Sequence, residues 1–255
     1  MIKTAILAAE RAGHLLKERY TQHLQIRLKK DESLVSSADR ESEEVIRKTI
    51  LQTYPRHAIN GEECGLKGCN DYCWYIDPLD GTTNFLNHDT FFCVSIGLAK
   101  KGRYVLGVIY QPVSGDLFIA QHGKGAFLNN ERLKIKARPM HKGLSLVDSS
   151  FRNPVAMWSK LGFIREWASR KTHFRILGSD ALQLAEFARG GAVISYHCGF
   201  HPWDVAAGVV IAKEAGGIIT DEDGKIPTVA STHIICANSK STHHKALQIV
   251  RERLV

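Results

Sequence analysis

Across the first twenty residues, MIKTAILAAERAGHLLKERY, apolar or small side chains recur at Ile6, Ala9, Gly13, Leu16 and Tyr20. That spacing predicts an amphipathic helix with one face turned to a core. Glu10 and Arg11 interrupt the apolar stretch and no small-residue cleavage site follows, so it does not read as an export signal. A second helix is predicted in LVSSADRESEEVIRKTILQ, where Ser36 stands three residues before Asp39 in the manner of a capping box, with Val45, Ile46, Thr49 and Ile50 as its buried face.

Between 74 and 136 the period changes. The short apolar runs CWYI, FFCVSIGLA, YVLGVIY, DLFIA, AFL and LKI are separated by turn chemistry (KKGR, QPVSG, QHGKG, NNE), which predicts a mainly antiparallel meander. From 143 onward LSLVDS, HFRIL, AVISYH, GIIT and HIICA read as strands. They alternate with helical stretches at about 154–169, 179–189, 204–215 and 240–253, which predicts a second, α/β-like layer. The expected organisation is an α+β subdomain over 1–140 and an α/β subdomain over 141–255, with either a hinge or a shared core near Met140 and Gly143. No apolar run approaches the roughly 18 residues of a membrane span, and a soluble, cytoplasmic protein is expected.

Composition narrows this picture only a little. With 255 residues, 44% hydrophobic and 24% charged, the chain can bury a core without staples. Six cysteines without an export signal are expected as reduced thiols, and the gaps in CGLKGCNDYC do not match the two-residue spacing of common zinc motifs. The formal charge of +8 suits an anionic partner. Its dense spots, RLKK at 27–30 and ERLKIKAR at 131–138, lack the interleaved aromatics of a single-strand platform, so nucleic acid ranks behind a small phosphorylated metabolite.

The densest chemistry lies in WYIDPLDGTTNF at 74–85. A strand ending at Asp77, a bend at Pro78 and a second acid at Asp80 aim two carboxylates at one point. Such a pair repels unless a hard cation lies between them. Gly81, Thr82 and Thr83 follow with backbone N–H groups able to cradle phosphate oxygens. GEE at 61–63 alone is an ordinary solvated loop, and Asp204 in HPWDVAAGVVIAKEAGG alone is an ordinary helix cap. Glu62, Asp77, Asp80 and Asp204 together would hold four negative charges, which two Mg²⁺ would cancel.

GEE, WYIDPLDGTTNF and PWDVAAGVVIAKEAGG, in this order and with KKDESLVSSAD and GKGAFLN alongside, resemble the inositol monophosphatase family of magnesium-dependent, lithium-sensitive phosphatases. The resemblance implies a layered αβαβα sandwich of the inositol monophosphatase/fructose-1,6-bisphosphatase type, usually a homodimer, with two or three Mg²⁺ per active site. It makes Glu62, Asp77 and the Leu79 carbonyl ligands of one metal and Asp77, Asp80 and Asp204 ligands of another, with Glu63 helping a weaker third. Thr82 and Asp39 would orient and deprotonate the attacking water, and Gly81, Thr82 and Thr83 would bind phosphate. Gly178 and Ser179, in GSDA, His197 and Asp204 would face the substrate.

His197 stands where the family often has Glu, Asp180 is inserted into a GSA-like pattern, and Ser33 and Ser36 replace a common Asp and Thr; these departures bear on specificity. Inositol-1-phosphate is the leading substrate expectation, with fructose-1,6-bisphosphate, histidinol phosphate and 3'-phosphoadenosine nucleotides as alternatives. An aspartyl-phosphate phosphatase would want Asp-x-Asp, whereas Asp77 and Asp80 are three apart, and no P-loop or GxGxxG element occurs. A regulatory role through RNA or the transcription machinery is the rival of another class, permitted by the basic charge.

Overall fold

The computed structural model describes residues 1–22, 26–28, 34–148, 154–170 and 172–253; Ser33 and the Lys29–Lys30 end of the first basic run lie outside them. Helix α1 (Ile2–Arg19) buries Ala9, Gly13 and Leu16 of the predicted stripe together with Ala5, Ala8 and Ala12, which the prediction did not name, while Ile6 and Tyr20 are half-buried. An antiparallel ribbon, β1 (Ile26–Leu28) and β2 (Leu34–Ser36), leads into α2 (Ser37–Thr53). That helix opens on the predicted capping box, with the Ser36 N–H and hydroxyl both donating to Asp39 Oδ2 at 2.8 and 2.7 Å.

The meander forms as expected. Strands β3 (Ala58–Gly61), β4 (Gly65–Lys67) and β5 (Tyr72–Asp80) precede a short helix α3 (Thr82–Leu86), followed by β6 (Cys93–Lys100), β7 (Arg103–Gln111), β8 (Asp116–Gln121), β9 (Gly125–Leu128) and β10 (Glu131–Arg132). They make an eight-stranded sheet in the order β10-β9-β8-β7-β6-β5-β3-β4, antiparallel throughout except for the β3–β5 pair. Two expectations need correcting. LKI at 133–135 is not a strand: the segment leaves the sheet and the Ile135 N–H bonds the Ala215 carbonyl at 2.8 Å. Strand β5 does not stop at Asp77, since a bulge lets it run on to Asp80.

The second half alternates as the pattern predicts: β11 (Leu144–Val147), α4 (Pro154–Ala168), β12 (His173–Arg175), α5 (Asp180–Ala188), β13 (Ala192–Cys198), α6 (Pro202–Glu214), β14 (Ile218–Thr220), β15 (His233–Ala237) and α7 (Lys240–Arg253). Its five strands lie in the order β12-β11-β13-β15-β14, with β11 parallel to both neighbours and β15 antiparallel to both of its own.

Three apolar clusters stack these pieces into five layers. Helices α1 and α2 cover one face of the large sheet; α5 and α6 fill the space between the sheets; α4 and α7 cover the far face of the small one. The αβαβα sandwich is thus the fold. Cys93, Ile109 and Phe118 share a core with Leu182, Ile211 and Ile234, so the halves are welded by common burial. Val205 through Ala212 are all buried. A Cβ at Gly97 or Gly107 would come within 2.4 or 2.3 Å of Ala206 or Ala207, so glycine alone lets α6 lie directly on β6 and β7. All six cysteines are free thiols, and among the described residues no helix is long and apolar enough to cross a membrane.

Candidate active site

Register delivers the first acid. Gly61 of β3 pairs with Ile76 of β5, and the Glu62 N–H donates to the Ile76 carbonyl at 3.2 Å, which sets Glu62 beside Asp77. The loop is gripped from below by Glu43, which accepts from the Glu63 and Cys64 N–H groups at 2.7 and 3.1 Å and is paired to Arg47 at 2.6 Å. A Cβ at Gly61 would lie 2.5 Å from the Glu43 carboxylate, which explains the glycine of GEE. The sequence reading missed Glu43 and Arg47; their i,i+4 spacing on α2 was the available signal.

At the end of β5, Asp77 pairs with Ser95 and Asp80 with Cys93, leaving Pro78 and Leu79 bulged out. Proline, which has no N–H to donate, suits that place. The bulge is held by the Leu79 N–H on Asp77 Oδ1 (3.0 Å) and by Ser42 Oγ on the Pro78 carbonyl (2.9 Å). Gly81 then sits at φ 94°, where a Cβ would also press on the Phe91 carbonyl at 3.0 Å. Beyond it α3 places Thr82 Oγ1 3.1 Å from both Asp39 Oδ1 and the Leu79 carbonyl. A hydroxyl has one proton and serves one of these acceptors at a time. Thr83 is exposed. Asn84, not singled out in the sequence, donates through Nδ2 to the Phe91 and Leu177 carbonyls, both at 2.7 Å, tying this loop to the approach to Gly178.

The N-terminus of α5 closes on Asp80. Ser179 Oγ and the Ala181 N–H donate to Asp80 Oδ2 at 2.6 and 2.7 Å, and the Asp180 N–H reaches Oδ1 at 3.2 Å. Ser179 is buried and its hydroxyl serves Asp80. Asp204, in the first turn of α6, accepts the His201 N–H at 2.7 Å as a capping-box acid. His197 is fully buried in β13, with Nε2 2.7 Å from Ser195 Oγ and Nδ1 3.4 Å from Asp180 Oδ1.

Capping and convergence coexist at Asp204. Burial raises its pKa first, then the charges of Asp180, Glu62 and Asp80. Asp77 is raised well above the ordinary carboxylate range by burial and by Glu62, Asp80 and Asp204. Asp80 is pushed up to about 7 by burial and Asp180, against the pull of its three donors. Glu62, the Asp77–Asp80 pair and Asp204, from three separate stretches of the chain, therefore act on one another across a site in which Asp77 and Asp80 are buried and Glu62 and Asp204 half-buried, and each charge pressing on the next is another carboxylate. Oxygen donors this crowded match the chemistry of hard divalent cations. A tighter group, Asp148, Asp180 and His197, has ligand atoms within 4.8 Å of one another; Asp148 was not foreseen.

Comparison with known proteins gives the same picture. Residues 1–254 match the model described as the inositol monophosphatase family. The chain is 37% identical to "Nus factor SuhB" of Pasteurella multocida over 242 residues, 93% of this chain and 91% of that protein. It is 34% identical to "Inositol monophosphatase 3" of Solanum lycopersicum, covering 96% of each. The crystal structure of the extragenic suppressor protein suhB from Bartonella henselae superposes with a TM-score of 0.90 at 32% identity over 98% of both chains.

Proposed function

Since the chain belongs to the inositol monophosphatase family, we propose that it is a Mg²⁺-dependent phosphatase that hydrolyses a small phosphomonoester. The observation that carries this reading is the convergence of Glu62, Asp77, Asp80 and Asp204, whose mutual repulsion a set of divalent cations would relieve. Those four side chains and the Leu79 carbonyl are the proposed ligands, with Glu63 supporting a further ion. When bound, the cations supply charge neutralisation, acidification of the attacking water and stabilisation of the leaving oxygen.

The chain's own groups prepare the rest. Asp39 is fully buried and fixed by Ser36, so its Oδ1 can hold the Thr82 hydroxyl and turn its lone pairs toward water. Proton removal through such a pair is general base catalysis, worth roughly 10²–10⁴ in rate. The amides of Gly81, Thr82 and Thr83 open the short helix α3 and are the proposed phosphate contacts. Gly178, Ser179, His197 and Asp204 are the proposed substrate side; Ser179 and His197 act there from behind, because both are buried.

Inositol-1-phosphate is the proposed substrate, with fructose-1,6-bisphosphate, histidinol phosphate and 3'-phosphoadenosine nucleotides as the alternatives. Lithium sensitivity, a homodimer and a cytoplasmic location belong to the same proposal. The test is a phosphate-release screen over these compounds with Mg²⁺, repeated with Li⁺. Mg²⁺-dependent release from one of them is expected; release from none would overturn the reading. The relatives named Nus factor SuhB favour an added regulatory role through RNA or the transcription machinery. It predicts a salt-sensitive RNA shift that survives Asp77→Asn.

A further inference from the structure

The basic run ERLKIKAR, which the phosphatase chemistry leaves unused, ends at a cleft. Arg138 closes that run and, with His141, Arg170, Ser239, Thr242 and Lys245, lines a cavity of about 470 Å³. The cavity lies where β11 and β13 begin. Arg138 donates to the Gly190 carbonyl two residues before β13, and the N–H of Asn238, next to Ser239, reaches the Val193 carbonyl at 3.0 Å. Strand β13 runs parallel to β11 and carries His197, beside Asp180 of α5, at its far end. The cleft is therefore set off from the site at Asp80 by the length of β13, roughly 20 Å.

We propose that this cleft binds the terminal phosphoryl group of a small phosphorylated compound, independently of the carboxylate cluster. Arg138, Arg170 and Lys245 line it without any Asp or Glu, and none of the three is ion-paired among the described residues. The two arginines are half-buried and spend hydrogen bonds on neutral groups: Arg138 on the Gly190 carbonyl, Arg170 on the Glu166 carbonyl and the Ser169 hydroxyl. A guanidinium carries five N–H donors, so most of them remain to grip an anion. Like charges gathered without an acid repel one another, and an anion between them relieves this.

The start of α7 adds neutral donors. Ser239 Oγ accepts the Thr242 N–H at 3.2 Å and shares a single hydrogen bond with Thr242 Oγ1 at 2.9 Å. Whichever hydroxyl donates in that bond, the other keeps a proton without an acceptor among the described residues, at a wall where Thr242 is only 3% exposed. Phosphoryl oxygens are the acceptors such a wall lacks. The first amides of α7, which the helix cannot pair internally, lie in the same turn and favour negative charge. Three cationic side chains exceed the single charge of a nucleic-acid phosphodiester, and no Phe, Tyr or Trp lines the cleft to stack a base. A phosphomonoester or diphosphate, with about two or more charges, is the better match.

The experiment titrates the full chain, stripped of metal, with pyrophosphate in a calorimeter at about 0.15 M salt, where diffuse surface attraction is screened. Without cations the carboxylates around Asp77 repel the probe, so binding reports the cleft. One equivalent is expected to bind, weakened at least about tenfold by Arg138→Gln. Because Arg138 also holds Gly190, Ser241→Asp is the second variant; Ser241 is exposed at the cleft in the first turn of α7. An acid there favours the helix, so the melting temperature should not fall while pyrophosphate binding is lost. No binding by the parent, or binding by both variants equal to the parent's, would overturn the proposal. So would displacement of pyrophosphate by a single-stranded RNA without terminal phosphates, which would assign the cleft to nucleic acid instead. Neither Mg²⁺ nor phosphate release enters the readout, so this test and the substrate screen fail separately.

Discussion

The two acidic clusters on either side of the α5 N-terminus each bury a carboxylate, Asp77 in one and Asp148 in the other, and are differently compensated. Asp148 is fully buried, yet its pKa is raised only to about 6, because Lys160 and His197 counter burial and the Asp180 charge. Asp77, no better shielded from water than Asp148, is raised well above the ordinary carboxylate range, and the charges acting on it, from Glu62, Asp80 and Asp204, all push the same way as burial. Seclusion raises both; built-in counter-charge separates them. A cluster with its own lysine is largely finished when the chain folds, whereas one made of carboxylates alone is prepared for cations from outside.

The sharpest way to break this contrast is Asp77→Asn. Phosphate release should fall by at least about 10³-fold, equivalent to about 4 kcal/mol, while the metal-free protein should melt no lower than the parent, because one repelling charge has gone. Unfolding of the variant before any activity assay would place Asp77 in the scaffold instead. On the compensated side, Lys160→Met should remove the buried lysine counter-charge from Asp148 and cost about 3–5 kcal/mol in denaturant unfolding; adding Asp148→Asn should restore most of it.

A gentler probe is pH. Folded Asp80 holds its proton up to about 7, whereas in the unfolded chain it titrates near 3.8. Between those values the folded state binds more protons than the unfolded one, so metal-free stability should fall as pH rises from about 4 to about 7. Saturating Mg²⁺ should flatten or reverse that slope, because the ion binds the ionised form; thermal melts across this range, with and without Mg²⁺, are the check. The smallest change is Ser36→Ala, which removes one of the two donors that fix Asp39 Oδ2. About 1 kcal/mol of stability should be lost, with a drop in kcat at unchanged KM as Thr82 loses its fixed partner.

Much of this was readable in the chain. The meander, the four C-terminal helices and the Ser36–Asp39 box follow from period and cap chemistry, which are local. LKI failed as a strand because its apolar side chains serve a connection that packs toward Ala215, and periodicity alone cannot tell the two uses apart. The strand was expected to end at Asp77 because proline was read as a stop; inside a bulge it is only a missing donor. Glu43, Asn84, Asp148 and Lys160 escaped notice because each acts on partners remote in sequence.

By itself, the sequence determined which segments are helix and strand and which motifs carry acids, because backbone preference and side-chain period act over a few residues. Tertiary structure alone decided that Glu62, Asp77, Asp80 and Asp204 would press on one another, that Ser179 would be spent on Asp80, and that His197 would lie buried against Asp180. Electrostatic energy depends on distance and on exclusion of water, and neither exists until α5 and α6 are packed between the sheets.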